Sequence, residues 1–326
     1  LHWGVIEGLI AHNCGEILLD NNGLCNLTSV NVVEFVDEDN KLDKDGLMQT
    51  QRLSARSGYR LTLPELELPE WNKVHKEEKI IGCSLTGWQD MVNLVGLTKS
   101  QQADLLQELR EVAKEAVDEY ADKLGKKKAK LVTSVKPEGT QSQVAGASSG
   151  LHFAHSPYYL RRVRISSDDP LYRLMDHQGF TNYPEVGQSE EDAITRVLEF
   201  PVKAPKGKTK FDVGAIEQLE IYKMFMENYV DHNASITVHV RDHEWEEVEE
   251  WMWENWDSVV GVSFLALTDS MYDLLPFEEI DEETYKDLKS EEPKLDVSLL
   301  PKFDKNRDGE LELDASDCES GVCPVR

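Results

Sequence analysis

Cys14-Gly15-Glu16-Ile17-Leu18-Leu19 is followed, after a short gap, by Gly23-Leu24-Cys25-Asn26-Leu27. A thiol, a carboxylate two residues on and a second thiol at Cys25 stand among glycines that permit a tight backbone path. Cysteine is among the most buried residue types, so two ordinary core thiols are the plain reading of the pair taken alone. The residues around them argue for chemistry. Past this segment, Ser29-Val30-Asn31-Val32-Val33 has strand composition. From Lys99 to Leu124, apolar residues recur at helical spacing (Leu105, Leu106, Leu109, Val112, Ala113, Ala116, Val117, Tyr120) and end at Gly125 and a lysine cluster, which predicts a helix. The β-branched run Leu131–Val135 and the turn-rich Pro137-Glu138-Gly139-Thr140-Gln141-Ser142 come next. The rhythm then recurs: a helix around Ile216–Tyr229, a strand over Ser235–Val240, an acidic Trp-rich helix from His243 to Trp256 and a strand over Val259–Leu265. Helix, strand and loop in this order define the α/β class.

The chain has 326 residues, 40% hydrophobic and 30% charged, enough for a large core. Its net charge of -27 argues against sequence-independent binding to nucleic acid, which needs a basic surface. An anionic substrate must then be held by a local device. No apolar run approaches the ~20 residues that cross a bilayer, and no basic leader precedes one, so no membrane is expected and the cytoplasm is the expected location. Five cysteines, Cys14, Cys25, Cys83, Cys318 and Cys323, are too few for a secreted disulfide framework.

Two further segments carry chemistry. Cys318-Glu319-Ser320-Gly321-Val322-Cys323 places two thiols on an acidic, aromatic-poor end that is expected to be mobile. Thiol–disulfide exchange needs such access. The other reading, half of a zinc site, lacks a second Cys/His pair and the usual tighter spacing, so no metal is expected. Nearby, Asp304, Asn306, Asp308 and Gly309 imitate the start of a calcium loop, but Ala315 stands where a bidentate Glu is needed, which leaves a solvated acidic segment. In Lys136–Ser142, backbone amides and hydroxyls are able to cradle phosphate without a basic patch, although Pro-Glu-Gly is also a common turn.

Together these motifs resemble ribonucleotide reductases, in which Asn-Pro-Cys-Gly-Glu is followed by Leu-Cys-Asn-Leu. Gly82–Gly87, His152-Phe153-Ala154, Tyr159–Arg164, Phe200–Ala204 and Val260–Leu265 are similar to segments of the adenosylcobalamin-dependent class II type, in family order. The resemblance implies part of a ten-stranded α/β barrel with a flexible C-terminal tail, the thiyl residue lying on a loop inside the barrel. It implies reduction of ribonucleotides, as triphosphates, to 2′-deoxyribonucleotides, with thioredoxin restoring the enzyme. Cys14 is then the thiyl carrier, Glu16 the base and Cys25 half of the reducing pair, its partner lying in a missing N-terminal half. Cys318 and Cys323 become the relay, and Pro137, Glu138, Gly139, Thr140, Gln141 and Ser142 the substrate-phosphate loop. Cys83 reads as core.

The match stops at Cys14, because His12-Asn13 stands where the family has Asn-Pro. Gly8–Asn13 resembles the C-terminal end of an intein, with His12, Asn13 and Cys14 as splice junction, and Leu1 in place of Met fits a truncated precursor. The expected organisation is residues 1–13 as intein remnant, 14–300 as the catalytic barrel portion and 301–326 as redox-active tail, inactive alone. Three alternatives stand beside it. A class I large-subunit fragment would carry a paired-tyrosine relay, of which Tyr272 is an incomplete sign. The others are a fragment whose activity is self-splicing and a non-catalytic binding protein.

Overall fold

A computed structural model describes residues 3–6, 9–12, 15–139, 141–267 and 273–304. In chain order it begins with strands β1 (Trp3–Ile6), β2 (Leu9–His12) and β3 (Asn26–Asn31), helices α1 (Lys44–Leu61) and α2 (Pro69–Glu78), and strand β4 (Ile81–Thr86). Helices α3 (Trp88–Val95), α4 (Lys99–Leu124) and α5 (Gln141–Ala145) follow, then β5 (Tyr158–Ser166), α6 (Pro170–His177), β6 (Asn182–Pro184) and β7 (Thr195–Lys203). Last come α7 (Ala215–Asn228), β8 (Thr237–Val240), α8 (Trp245–Glu254), β9 (Ser263–Ala266), β10 (Phe277–Glu279) and α9 (Glu282–Glu291). These fall into two compact units, residues 1–158 with 203–271, and residues 159–202 with 272–326.

In the first unit β3 pairs parallel with β4, and Cys83 bridges in parallel to Thr133. Val135 bridges to Ala234, and β8 pairs parallel with β9. Five parallel segments thus lie side by side in the order β3, β4, 131–135, 234–240, β9, with helices supplying the crossovers. One face is apolar. Ile81 and Cys83 pack with Ala55 and Tyr59 of α1 and with Ala113, Ala116 and Val117 of α4, while Leu85, Ile236, Val238 and Val240 pack with Leu105, Leu106 and Leu109 of α4 and Leu219, Tyr222 and Phe225 of α7.

Helix α4 forms over the expected residues because its ends are chemically marked. Thr98 accepts from the Gln101 amide at 3.3 Å while the Gln101 side chain reaches back to the Thr98 amide at 2.9 Å, and Gly125 takes the left-handed turn at φ +61°.

Two expected strands are shorter than their composition implies. The run Ser29–Val33 leaves the sheet at Asn31, whose Oδ1 accepts from Val33 N at 3.2 Å and caps a 3-10 turn over Val32–Phe35. The strand expected from Val259 begins only at Ser263, because the amides of Val260 and Gly261 donate to the Tyr222 hydroxyl at 3.0 and 3.4 Å instead of to a neighbouring strand.

The second unit is a four-stranded sheet in the order β10-β5-β7-β6, over a small core of Met175, Phe180 and Leu198. Buried Arg162 is held there by Glu199 and Glu278, each at 2.6 Å. At the start of the first unit, β1 and β2 pair antiparallel, Trp3 opposite His12.

Candidate functional site

The face of the sheet opposite the helices is built from small and polar side chains. Because side chains alternate along a strand, Gly82, Ser84 and Thr86 of β4 point away from Ile81, Cys83 and Leu85. Gly82 makes room. A Cβ there would lie 2.5 Å from Leu27 Cδ2, 3.2 Å from Ser134 Cβ and 3.5 Å from Cys25 Sγ. Cys25, just before β3, therefore rests its sulfur against a residue with no side chain. Burial, reinforced by neighbouring Cys83 and Glu16, pushes the Cys25 thiol up to about 12. Its sulfur is held as S–H.

The Gly15-Glu16 segment crosses this same face. Gly15 adopts φ +64°, a conformation that a side chain would strain. The Glu16 carbonyl accepts from Ser134 Oγ at 3.1 Å and from the Asn233 amide at 3.2 Å. The Gly15 carbonyl accepts from Asn233 Nδ2 at 3.0 Å. Glu16 is half-buried, and its influence on Cys25 puts carboxylate and thiol in one neighbourhood.

Two residues past Ser134 the chain enters the loop expected to hold phosphate. The Lys136 amide donates to Ser84 Oγ at 2.9 Å, and Ser142 N donates to the Glu138 carbonyl at 2.9 Å. The loop residues divide by direction. Ser142 is buried with its hydroxyl 3.0 Å from Ser149 Oγ, Glu138 is buried at φ +57°, and Gly139 and Gln141 are exposed. The Lys136 ammonium bonds Gln141 and lies 3.9 Å from a Glu138 carboxylate oxygen, so it brings positive charge to the exposed part. Further along, His152 accepts the Thr237 amide at Nε2 (2.9 Å) with Nδ1 2.9 Å from the Ser149 carbonyl, an arrangement for neutral imidazole; burial pushes its pKa down.

Of the residues singled out in the sequence, Glu16 and Cys25 are brought together, and Pro137–Gly139 with Gln141 and Ser142 form the loop at the end of the strand that carries Ser134. Asn13, Cys14, Thr140, Tyr272, Cys318 and Cys323 lie outside the described residues, as do Asn306, Asp308, Gly309 and Ala315. His12 ends β2, directly before Asn13. Cys83 is fully buried. Sequence reading gave no site role to Asn233, Tyr222, Ser134 or Gly82. No spacing announces the first two, whose contacts span 218 and 11 residues.

No family profile matches the chain. Curated proteins do. The adenosylcobalamin-dependent ribonucleoside-triphosphate reductase of Levilactobacillus brevis is 28% identical over 355 aligned positions, covering 99% of this chain and 46% of that protein. Its namesake from Lactobacillus delbrueckii subsp. bulgaricus is 26% identical over 352, with the same coverage. Among solved structures, a B12-dependent (class II) ribonucleotide reductase superposes with a TM-score of 0.75 at 24% identity, over 94% of this chain and 45% of that one. The α subunit of the Actinobacillus ureae class Id reductase gives 0.50 at 13% identity, over 78% and 52%.

The fold is thus that of ribonucleotide reductases. Within that group, the chain is similar in sequence to adenosylcobalamin-dependent ribonucleoside-triphosphate reductases and in fold to a B12-dependent, class II structure. It spans about half the length of the curated relatives it matches.

Proposed function

We propose that this chain supplies the thiyl-bearing part of an enzyme that reduces ribonucleoside triphosphates to 2′-deoxyribonucleotides. The observation that carries the reading is convergence on one sheet face. Glu16, the Cys25 sulfur and the strand that runs into the Pro137–Ser142 loop all meet at Ser134 and Gly82.

The chemistry follows from those groups. A thiyl radical on Cys14 takes a hydrogen atom from the ribose 3′ carbon, and the Glu16 carboxylate takes the 3′-hydroxyl proton. The 2′-hydroxyl leaves as water. Cys25 and a thiol from the remaining length of the enzyme give two electrons and two protons, closing to a disulfide, and the hydrogen atom returns to the sugar from Cys14. Cys318 and Cys323 then pass electrons from thioredoxin to that disulfide. Gly139, Thr140 and Gln141, with Lys136, meet the phosphates.

The thiol chemistry of this site is of the kind that an adenosylcobalamin-derived radical would serve. Hydrogen-atom transfer wants a protonated thiol, which is how Cys25 is kept, half-buried, beside Glu16. When bound, the cofactor supplies the organic radical that oxidises a thiol, and Cys14 is the residue of this chain that would receive it. Mixing the chain with the remaining half of a reductase and assaying deoxynucleotide formation with and without adenosylcobalamin tests the reading. Activity should require the cofactor and vanish in Cys14→Ser. Full activity in that variant would sink the thiyl role, and cofactor-independent activity would point to a class I subunit.

A further inference from the structure

One fully buried amide ties three separated stretches of chain at the face just described. Asn233 Nδ2 donates to the Gly15 carbonyl at 3.0 Å and to the Gly261 carbonyl at 3.1 Å, and Oδ1 accepts from the Tyr222 hydroxyl at 2.8 Å. Its backbone joins in, since the amide donates to the Glu16 carbonyl at 3.2 Å and the carbonyl lies 3.0 Å from Ser134 Oγ. Tyr222 is buried in α7, and its oxygen accepts from the amides of Val260 and Gly261 at 3.0 and 3.4 Å. Neither polar atom of the Asn233 side chain is left without a partner. Both donors and the acceptor have partners, which is the condition under which a buried polar network rigidifies what it touches.

We infer that Asn233, backed by Tyr222, is a positioning residue that fixes the Gly15-Glu16 peptide on the sheet and so sets where the Glu16 carboxylate stands. The argument is geometric. Gly15 sits at φ +64°, and a glycine in that region has shallow backbone preferences of its own. Its neighbour Gly23 lies beyond a turn, and Ile17–Asp20 are in no helix or strand. What holds the segment is therefore external, namely the two consecutive carbonyls of Gly15 and Glu16 gripped by the side chain and backbone of one residue, with Ser134 as a second donor to Glu16. Asparagine is required because the site needs two donors and one acceptor in a planar group. Aspartate would put acceptors against two carbonyl oxygens. The tie to 260–261 has a further consequence, since the same amide joins the Gly15–Glu16 segment to the start of β9, so neither moves without the other.

The catalytic meaning of this clamp rests on the reductase reading above; the clamp itself does not. Hydrogen–deuterium exchange on the full chain, wild type against Asn233→Ser and Tyr222→Phe, addresses the first part. The Phe variant removes one hydroxyl and keeps the packing, so it carries the test even where Asn233→Ser fails to fold. Exchange over residues 15–19 should rise about tenfold while α4 and β4 keep wild-type protection. Unchanged exchange at 15–19, or a uniform rise across the sheet, would overturn the clamp. The second part is read on chain reconstituted with the remaining half. There Tyr222→Phe should lower kcat about tenfold with KM within about twofold, and Asn233→Gln should fail to rescue what Asn233→Ser loses, because its longer arm misplaces both donors. A KM effect at unchanged kcat would assign Asn233 to substrate binding and end the positioning role. If instead Cys14→Ser is fully active while residues 15–19 still loosen, the reductase reading fails and the clamp stands.

Discussion

The two faces of the parallel sheet are made from alternate residues of the same strands, and they differ in almost every physical respect. The helix side is filled by Ile81, Cys83, Leu85, Ile236, Val238 and Val240 against α1, α4 and α7. Burial of apolar area holds it, each large side chain contributing about 1.5–3 kcal/mol. The opposite side carries Gly82, Ser84 and Ser134, and what crosses it is held by directional bonds, from Ser134 and Asn233 to the carbonyls of Gly15 and Glu16. One side tolerates no loss of volume. The other tolerates no loss of direction. On the function proposed above, the division suits a site that brings a thiol and a carboxylate to a substrate, because the rigid apolar side fixes the strands whose other side would do the chemistry.

The largest expected effect tests the chemical side. Cys25 is held as a thiol by burial first and then by Cys83 and Glu16, its pKa pushed up to about 12 from 9.0. At pH 8 the folded chain should carry roughly a thousandfold less Cys25 thiolate than an unfolded chain, and alkylation by iodoacetamide should be slowed to match. The rate should keep climbing between pH 9 and 12, where a free thiol levels off. Mass spectrometry of the Cys25 peptide after timed labelling reads this, and a plateau near pH 9 would show the sulfur in water. The sign for stability follows: the thiol's contribution is complete below pH 9, where both states are protonated, and it is lost as pH rises toward 12 because the unfolded chain ionises first. Tyr229, buried and raised in the same direction, adds to that alkaline loss.

How much of this was legible depended on what kind of interaction carried it. Helix α4 could be read residue for residue because its signals are local: apolar periodicity, Gly125 after the last turn and the lysines beyond it. The motif from Cys14 to Leu27 was legible as a resemblance, since residue types and order survive without coordinates. The strand ends were not. Val32 and Val33 have strand composition, yet one Asn31 side-chain bond turns them into a 3-10 helix, and Val259–Val262 are drawn out of the ladder by a hydroxyl on α7. The clamp at Asn233 was invisible for a related reason. Asp231-His232-Asn233 reads as a polar turn before a strand, and only folding brings it to Gly15. Nor did composition reveal that Tyr158–Ser166 and Thr195–Lys203 belong to a second sheet.

The apolar side gives the next largest effect. Leu106 is fully buried in α4 against β4 and α7. Leu106→Ala should cost about 2–5 kcal/mol by loss of transfer energy and creation of a cavity. Urea titration followed by far-UV circular dichroism measures it. The comparison predicts a second result in the same sample: well below the unfolding midpoint, Cys25 labelling stays at the wild-type rate, because the cavity opens on the other side of the sheet. Faster labelling at native conditions would mean the two sides are coupled after all.

Gly82→Ala is the smallest change and the sharpest probe, because it adds one methyl group to the opposite face. The new Cβ would sit 2.5 Å from Leu27 Cδ2, the free end of a flexible side chain that swings aside at little cost. It would also sit 3.2 Å from Ser134 Cβ and 3.5 Å from Cys25 Sγ, and Ser134 is anchored by its bonds to the Glu16 and Asn233 carbonyls. Gly82 has no left-handed φ, so the backbone accepts alanine without strain. The stability loss should therefore be modest, about 1 kcal/mol, near the lower end for overpacking. The displacement falls on the group with least freedom to absorb it. Ser134 must shift by a few tenths of an ångström or Cys25 must turn its sulfur outward, and either raises Cys25 labelling more than the small stability change accounts for. Leu106→Ala and Gly82→Ala thus make a crossed pair, one large in stability and silent at the thiol, the other small in stability and loud at it. Equal labelling rates in the two variants would show that the faces do not divide their work in this way.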